Sequence, residues 1–570
     1  MKLISADDAA ALIADGSTVA SAGFLGAGHA EAITEAIERR FLREQAPRDI
    51  TLVYSAGQGD RATRGVNHFA PRGLTKRVIG GHWRSAPGLA QLALDEGTEA
   101  YNLPQGVISQ LYRAIAGRKP GVITSVGLHT FVDPRYGGGK LNQRCSDDLV
   151  ELLTIDGKEY LRYKPMPIDC ALIRATTADA RGNLSAEHEP FHHELLAIAQ
   201  AARNSGGIVI AQVKRLVGEH AQARTVCVPG ILVDYVVVVG EHPHHHSMTF
   251  GEYFNPAFTG LVPRRSARTT ARAPAHARAP SSAPSSARPS APSSAPASAP
   301  IAGPRPADAR RIIQRRALLE MAAVRPRIVN LGVGMPAGVG ALAREAGLQG
   351  LVLTVESGPI GGTPADGLSF GAAEHPEAIV DEPAQFDFYD GGGLDMAFLG
   401  MAEADPQGNV NVGLFGVGPW RRIAGVGGFI NISQSTRELV FMGTLTSGGL
   451  SMMIEDGRLR IEREGRWRKM VERVGLVCFN GDYASRLGIR ATYVTERAVF
   501  RLREGRLALC EVAPGLDPER DVLALCPPGI AVAPQLRTID ARAFDTGPLR
   551  LDDPTAGANA LATRGREATP

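Results

Sequence analysis

Two related open α/β domains with mostly parallel sheets, fused in one chain, are the fold class this sequence predicts. Three observations carry that expectation. Short β-branched runs alternate with longer helical patterns, as in EAITEAIERRFLREQ (31–45), ELLAIAQAARN (194–204) and GIVIAQV (207–213). A block of sequence recurs at fixed spacing in the two halves. Between the halves lies a stretch, Pro263 to Pro300, made only of Pro, Arg, Ser, Ala, Thr and His.

The alternation is the pattern of parallel sheets covered by helices. Ligands in such folds bind beyond the carboxyl ends of the strands. The run ILVDYVVVVG (231–240) reads as a buried strand, too short for the ~20 apolar residues of a membrane helix. Beyond about residue 430, GRLRIEREGRWRKMV and ATYVTERAVFRLREGRL alternate as antiparallel strands with short turns do.

The repeat is specific. Asp169, Ala171, Ala178, Asp179, Gly182 and Asn183 match Asp395, Ala397, Ala404, Asp405, Gly408 and Asn409 at identical spacing, each block a strand followed by a D-x-x-G-N turn. Because Asn409 is duplicated as Asn183, it reads as a turn residue and not as a ligand. Upstream, DITLVYSAGQGD (49–60) resembles LVLTVESGPIGG (351–362). Aligning Gly57 with Gly358 sets Ser55 opposite Glu356, so only one half carries a carboxylate at that strand tip.

The Pro/Ala/Ser-rich segment has no residue able to anchor a core and reads as an extended linker over 263–306. Residues 1–262 form the N-terminal half, 307–552 the C-terminal half, and 553–570 a disordered tail. The net charge of +3 dissolves on inspection: residues 263–300 hold six arginines and no acid, leaving −3 for the rest. A generally basic nucleic-acid or membrane surface is therefore not expected. The composition, 44% hydrophobic and 21% charged, excludes global disorder. Six cysteines without a CxxC pair form no disulfide framework, and Asp7 and Asp8 interrupt any signal peptide, so a cytoplasmic protein is expected.

Glu356 is the first candidate for chemistry. It ends LVLTVE and precedes Ser-Gly-Pro-Ile-Gly-Gly, where glycines let a substrate approach; many such glutamates merely cap a turn. The preceding loop, Gly332-Val333-Gly334-Met335-Pro336, joins a strand to a helix with Pro336 suited to the first turn. Backbone N–H groups there can receive an anion or oxyanion. A dinucleotide-binding reading competes, with Glu356 holding a ribose, but the spacing is GxGxxxG rather than GxGxxG.

Taken together, LGVGMP, TVESGPIGG, FDFYDGGGLDMAFLGMAEADPQGNVNV, GVGGFINISQ and VTERAVFRL resemble the class I coenzyme A transferases, in the single-chain acetate/propionate (3-keto acid) branch. SAGFLGAGHAEAI, YNLPQGVISQLYRAIA and GLHTFVDPRYGGGKLN extend the resemblance into the first half. It implies that Glu356 is a nucleophile forming a glutamyl-CoA thioester, with acyl-CoA and a carboxylic acid as substrates and no cofactor or metal. Val333, Gly334, Gly427 and Gly428 become candidate oxyanion donors. Gln105 becomes an acyl-site residue, and Gly391, Gly392 and Gly393 could let CoA approach the backbone; a homo-oligomer is expected. An acyl-CoA hydrolase using the same glutamate, and a non-catalytic nucleotide sensor, are the alternatives. The histidines at 188, 192, 193, 242 and 244–246 read as loop residues, since HHELLA lacks the second His of HExxH.

Overall fold

The computed structural model describes residues 1–220, 222–262 and 308–551. The expected linker, 263–306, and tail, 553–570, lie outside the described residues. Two ten-stranded sheets organise the rest.

In the first sheet the strands run Lys2–Leu3, Tyr235–Val238, Ile208–Val217, Cys170–Asp179, Thr18–Ser21, Ile50–Tyr54, Thr75–Gly80, Glu99–Asn102, every pairing along this path parallel. The second repeats the middle of that order, as Arg490–Val494, Glu438–Met442, Met396–Gly400, Ile328–Leu331, Val352–Thr354, again all parallel. The halves diverge at the edges. Where the first continues with parallel Thr75–Gly80, the second turns Val352–Thr354 back into the antiparallel Pro359–Ile360. Toward its other edge Ala498–Arg503 and Arg506–Val512 pair antiparallel, as their alternation predicts, and Ala531–Thr538 closes the edge in parallel.

The duplicated turns use the same bonds. Asp179 Oδ1 accepts from the Arg181 and Asn183 N–H groups while Asn183 Nδ2 donates to Asp179 Oδ2 at 2.8 Å. Asp405 Oδ1 accepts from Gln407 and Asn409 N–H, and Asn409 Nδ2 donates to Asp405 Oδ2 at 3.0 Å. Each asparagine then accepts a backbone N–H from a later segment, Gly230 or Gly481. Asn183 and Asn409 are thus fold residues. Replacing either with alanine leaves a part-buried backbone N–H without its acceptor and should cost about 1 kcal/mol, read as a fall of the thermal midpoint. An unchanged midpoint in both variants would contradict the role.

One strand is shorter than the sequence suggests. Gly230–Leu232 is a single 3₁₀ turn with Ile231 83% exposed, and only Tyr235–Val238 joins the sheet. Asp234 Oδ2 accepts the Val209 N–H there and fixes where pairing begins.

The halves are knitted together at the carboxyl ends of their strands. Past the strand ending at Gly80, the Trp83 N–H donates to Ala424 O at 2.7 Å, and Gly427 N–H donates to Gly81 O at 2.7 Å. Past the strand ending at Asn102, the helix Gln105–Ala116 has no side-chain cap of its own. Its free N-terminal donors are met by the other half: Gln105 N–H by Gly427 O, at 2.9 Å, and Gly106 N–H by Asn431 Oδ1, at 3.2 Å.

Candidate active site

Glu356 stands at the tip of a tight hairpin. The Gly358 N–H donates to Val355 O and the Val355 N–H to Pro359 O, both at 3.1 Å, making Glu356 and Ser357 the central residues of the turn. Gly358 takes φ +126, and a Cβ there would lie 2.1 Å from Val380 O. Ser357 Oγ donates to Gly371 O at 2.6 Å and anchors the turn from beneath. Behind it, Tyr389 Oη donates to Thr354 Oγ1 at 2.8 Å and accepts from Gln385 Nε2 at 2.9 Å. The carboxylate is therefore held by a braced backbone, while its own Oε2 is buried without a hydrogen-bond partner.

Asn330 pairs with Thr354 across the parallel strands. Continuing that register sets the loop beginning at Gly332 beside the Glu356 turn. Its Val333 and Gly334 N–H groups donate to no protein atom among the described residues. Gly334, at φ +85, has open space where a Cβ would point. Burial raises the Glu356 carboxyl above its ordinary value; its own backbone and the Asn330 side chain pull the other way. A desolvated carboxylate beside unused N–H groups is equipped to attack a carbonyl and stabilise the oxyanion that forms.

Gln105 reaches the same place from the other half. Its Nε2 donates to Glu382 Oε1 at 3.1 Å, and its Oε1 lies 3.4 Å from where a Cβ of Gly427 would be. Burial raises the Glu382 carboxyl well above its ordinary value, and the charges of Glu194 and then Glu356 add to that. Glu194 accepts from Ser55 Oγ at 2.5 Å. Ser55, the counterpart of Glu356 in the repeat, thus serves the same site as a hydrogen-bond donor.

Two expectations change. The Gly427 N–H is spent on Gly81 O, so Gly427 holds the halves together and does not donate to an oxyanion. Gly428 heads the helix Phe429–Ser435, and its N–H makes no protein bond among the described residues, so it keeps the donor role open. Gly391, Gly392 and Gly393 close the helix Glu382–Asp390, their N–H groups donating to Asp387, Tyr389 and Phe388 carbonyls. They lead into the amino end of the strand Met396–Gly400, the sheet edge opposite Glu356, and a Cβ on Gly393 would strike the Phe388 ring at 2.2 Å. A helix-ending turn accounts for all three, in place of an approach for CoA.

The histidines divide as well. His193 and His246 are buried, and His246 Nε2 bonds Glu189 Oε1 at 2.8 Å beneath Arg174. Both stand in loops, as expected, but are packed into the interior and not exposed. Toward the surface His245 Nε2 lies 2.9 Å from Glu35 Oε2, and ligand atoms of Glu35, His244 and His245 fall within 4.8 Å of one another. Among the described residues no helix is long and apolar enough to cross a membrane. Sequence reasoning missed Glu194 and Glu382. The HHE signal at Glu194 was weighed only as a metal motif, and Glu382 in DEPAQ carries no motif at all.

Residues 3–239 match the family described as Coenzyme A transferase. The chain is 39% identical to Acetate CoA-transferase YdiF of Escherichia coli K12, over 95% of each chain. It is 40% identical to Caffeate CoA-transferase of Acetobacterium woodii, over 95% of this chain and 97% of the relative. Among solved structures, Escherichia coli O157:H7 acyl-CoA transferase YdiF in its thioester complex with CoA superposes with a TM-score of 0.84 at 37% identity, covering 96% of this chain and 97% of that one.

Proposed function

The chain belongs to the coenzyme A transferase family and is a CoA-transferase, and we propose that Glu356 is the nucleophile through which it exchanges CoA between a short-chain acyl-CoA and a free carboxylic acid such as acetate or propionate. The observation that carries this is the braced hairpin, which presents a half-buried carboxylate, one oxygen of it buried and unpartnered, between the carboxyl ends of two interlocked sheets. The Glu356 carboxylate adds to the thioester carbonyl, the C–S bond breaks, and CoA thiolate leaves an acyl-glutamyl anhydride. The thiolate then attacks the glutamyl carbonyl, expelling the donor acid and leaving glutamyl-CoA. The acceptor acid reverses both steps and regenerates Glu356. No proton is consumed, and the thioester's energy stays on the enzyme. Val333, Gly334 and Gly428 N–H groups are the donors for the two oxyanions. Loss of such a donor typically costs about 3 kcal/mol of transition-state stabilisation.

Exchange kinetics test the reading. Initial rates with propionyl-CoA and acetate should give parallel double-reciprocal lines without ATP. Release of free CoA at the same rate when acetate is omitted would replace it with a hydrolase.

The pH dependence follows from the environment of Glu356. A carboxyl raised by burial is less ionised at a given pH, and only the carboxylate attacks. The rate of CoA-adduct formation should therefore fall, as pH drops, along a limb centred above the ordinary 4.5. A limb at or below that value contradicts a buried nucleophile.

A further inference from the structure

Two carboxyl groups of the site take no part in CoA exchange. Glu194 precedes the helix Leu195–Asn204 and Glu382 opens the helix Glu382–Asp390, one from each half. The Glu382 N–H donates to His193 O at 3.0 Å, which brings the amino ends of the two helices together. Ser55 Oγ grips one oxygen of Glu194 and Gln105 Nε2 one oxygen of Glu382. The other oxygen of each is buried with no partner.

Around them stand Tyr112, Asp381 and Glu356. His193 is adjacent and His82 lies near Gly427; burial lowers both imidazoles, to about 3 and about 4, so both are neutral. Arg61 and Arg84 act on His82. No lysine or arginine forms an ion pair with Glu194, Glu382 or Glu356 among the described residues. Burial, and for Glu382 the charge of Glu194, raises both carboxyl groups and opposes their double ionisation.

Resting on the CoA-exchange reading, we propose that Glu194 and Glu382 form a proton-sharing carboxyl pair that positions the Gln105 amide and restricts the acyl site to monocarboxylic acids. The Gln105 amide could lie either way round by shape alone; accepting from its Nε2, Glu382 selects one orientation. A second carboxylate on the acyl chain would meet unpaired carboxyl oxygens where a dicarboxylate site needs a cation. Rejection through like charge is a specificity device, paid in stability of the empty site.

The test compares propionate with succinate as acceptors of CoA from the preformed enzyme adduct between pH 6 and 9. Wild type should favour propionate by about 10²-fold or more in kcat/KM. That preference should widen as pH rises, because the pair gains charge as it loses the shared proton. In Glu382→Gln and in Glu194→Gln the preference should shrink at least about tenfold and lose its pH dependence. Glu194→Gln keeps the test open if Glu382→Gln fails to fold, as thermal melting would show. Equal use of succinate by wild type, or an unchanged preference in the folded variants, overturns the proposal. Failure of wild type to form any CoA adduct overturns the exchange reading instead.

Discussion

Glu356→Ala is expected to lower kcat/KM for CoA exchange by about 10⁴-fold or more, the scale on which an enzyme loses its covalent nucleophile. The fold gives no reason for accompanying collapse. The hairpin is held by Gly358 N–H, Val355 N–H and Ser357 Oγ, none of which needs the glutamate side chain. Removing a buried carboxylate that has one oxygen unpartnered relieves a desolvation cost, so the thermal midpoint should hold or rise. Activity within tenfold of wild type would show that the nucleophile lies elsewhere.

Gly358→Ala should be the second-largest effect, and it acts without touching the carboxylate. A Cβ at Gly358 would sit 2.1 Å from the Val380 carbonyl oxygen, and the Val380 N–H already donates to Gly358 O. Neither partner is a side chain that can swing away. The backbone must shift, and φ +126 is costly for any L-residue. A displacement of about 1 Å at the reacting carboxyl is enough to lose roughly 10²-fold in rate. The measurement is single-turnover adduct formation, with thermal melting alongside. Wild-type rates in a folded variant would mean that the hairpin does not position the nucleophile.

How much of this could be read from the sequence depends on whether the signal is local. The D-x-x-G-N turns were legible because aspartate and asparagine satisfy backbone donors within the turn itself, so the residues must recur wherever the turn does. The repeated strand order then followed from the duplicated block. Glu356 was legible as a lone carboxylate between a strand and glycines. Glu382 was not: it meets Gln105 across 277 residues, and no periodicity encodes a contact between halves. The Gly427 N–H is lost to Gly81 for the same reason, since a glycine's donor is free or used according to a neighbour the sequence does not name. Gly391–Gly393 misled because three glycines serve equally well to admit a ligand or to end a helix. Only the hydrogen bonds back into the preceding turn decide between them. The uniform run ILVDYVVVVG hid its own strand start, which a charged side chain, Asp234, marks instead.

The charge pattern fits the site. With the arginines of 263–300 set aside, the remainder carries −3, and the site itself is acidic and buried. CoA recognition is then expected to rest on backbone donors and locally placed cations, with a modest salt dependence.

The central claim is that CoA becomes covalently joined to Glu356. Incubation with propionyl-CoA, followed by intact-mass measurement and peptide mapping, should show one added CoA minus water on the peptide containing Glu356. Acetate should discharge it to acetyl-CoA. A CoA adduct on a different residue, or transfer to acetate with no adduct trapped at any time point, would contradict the account.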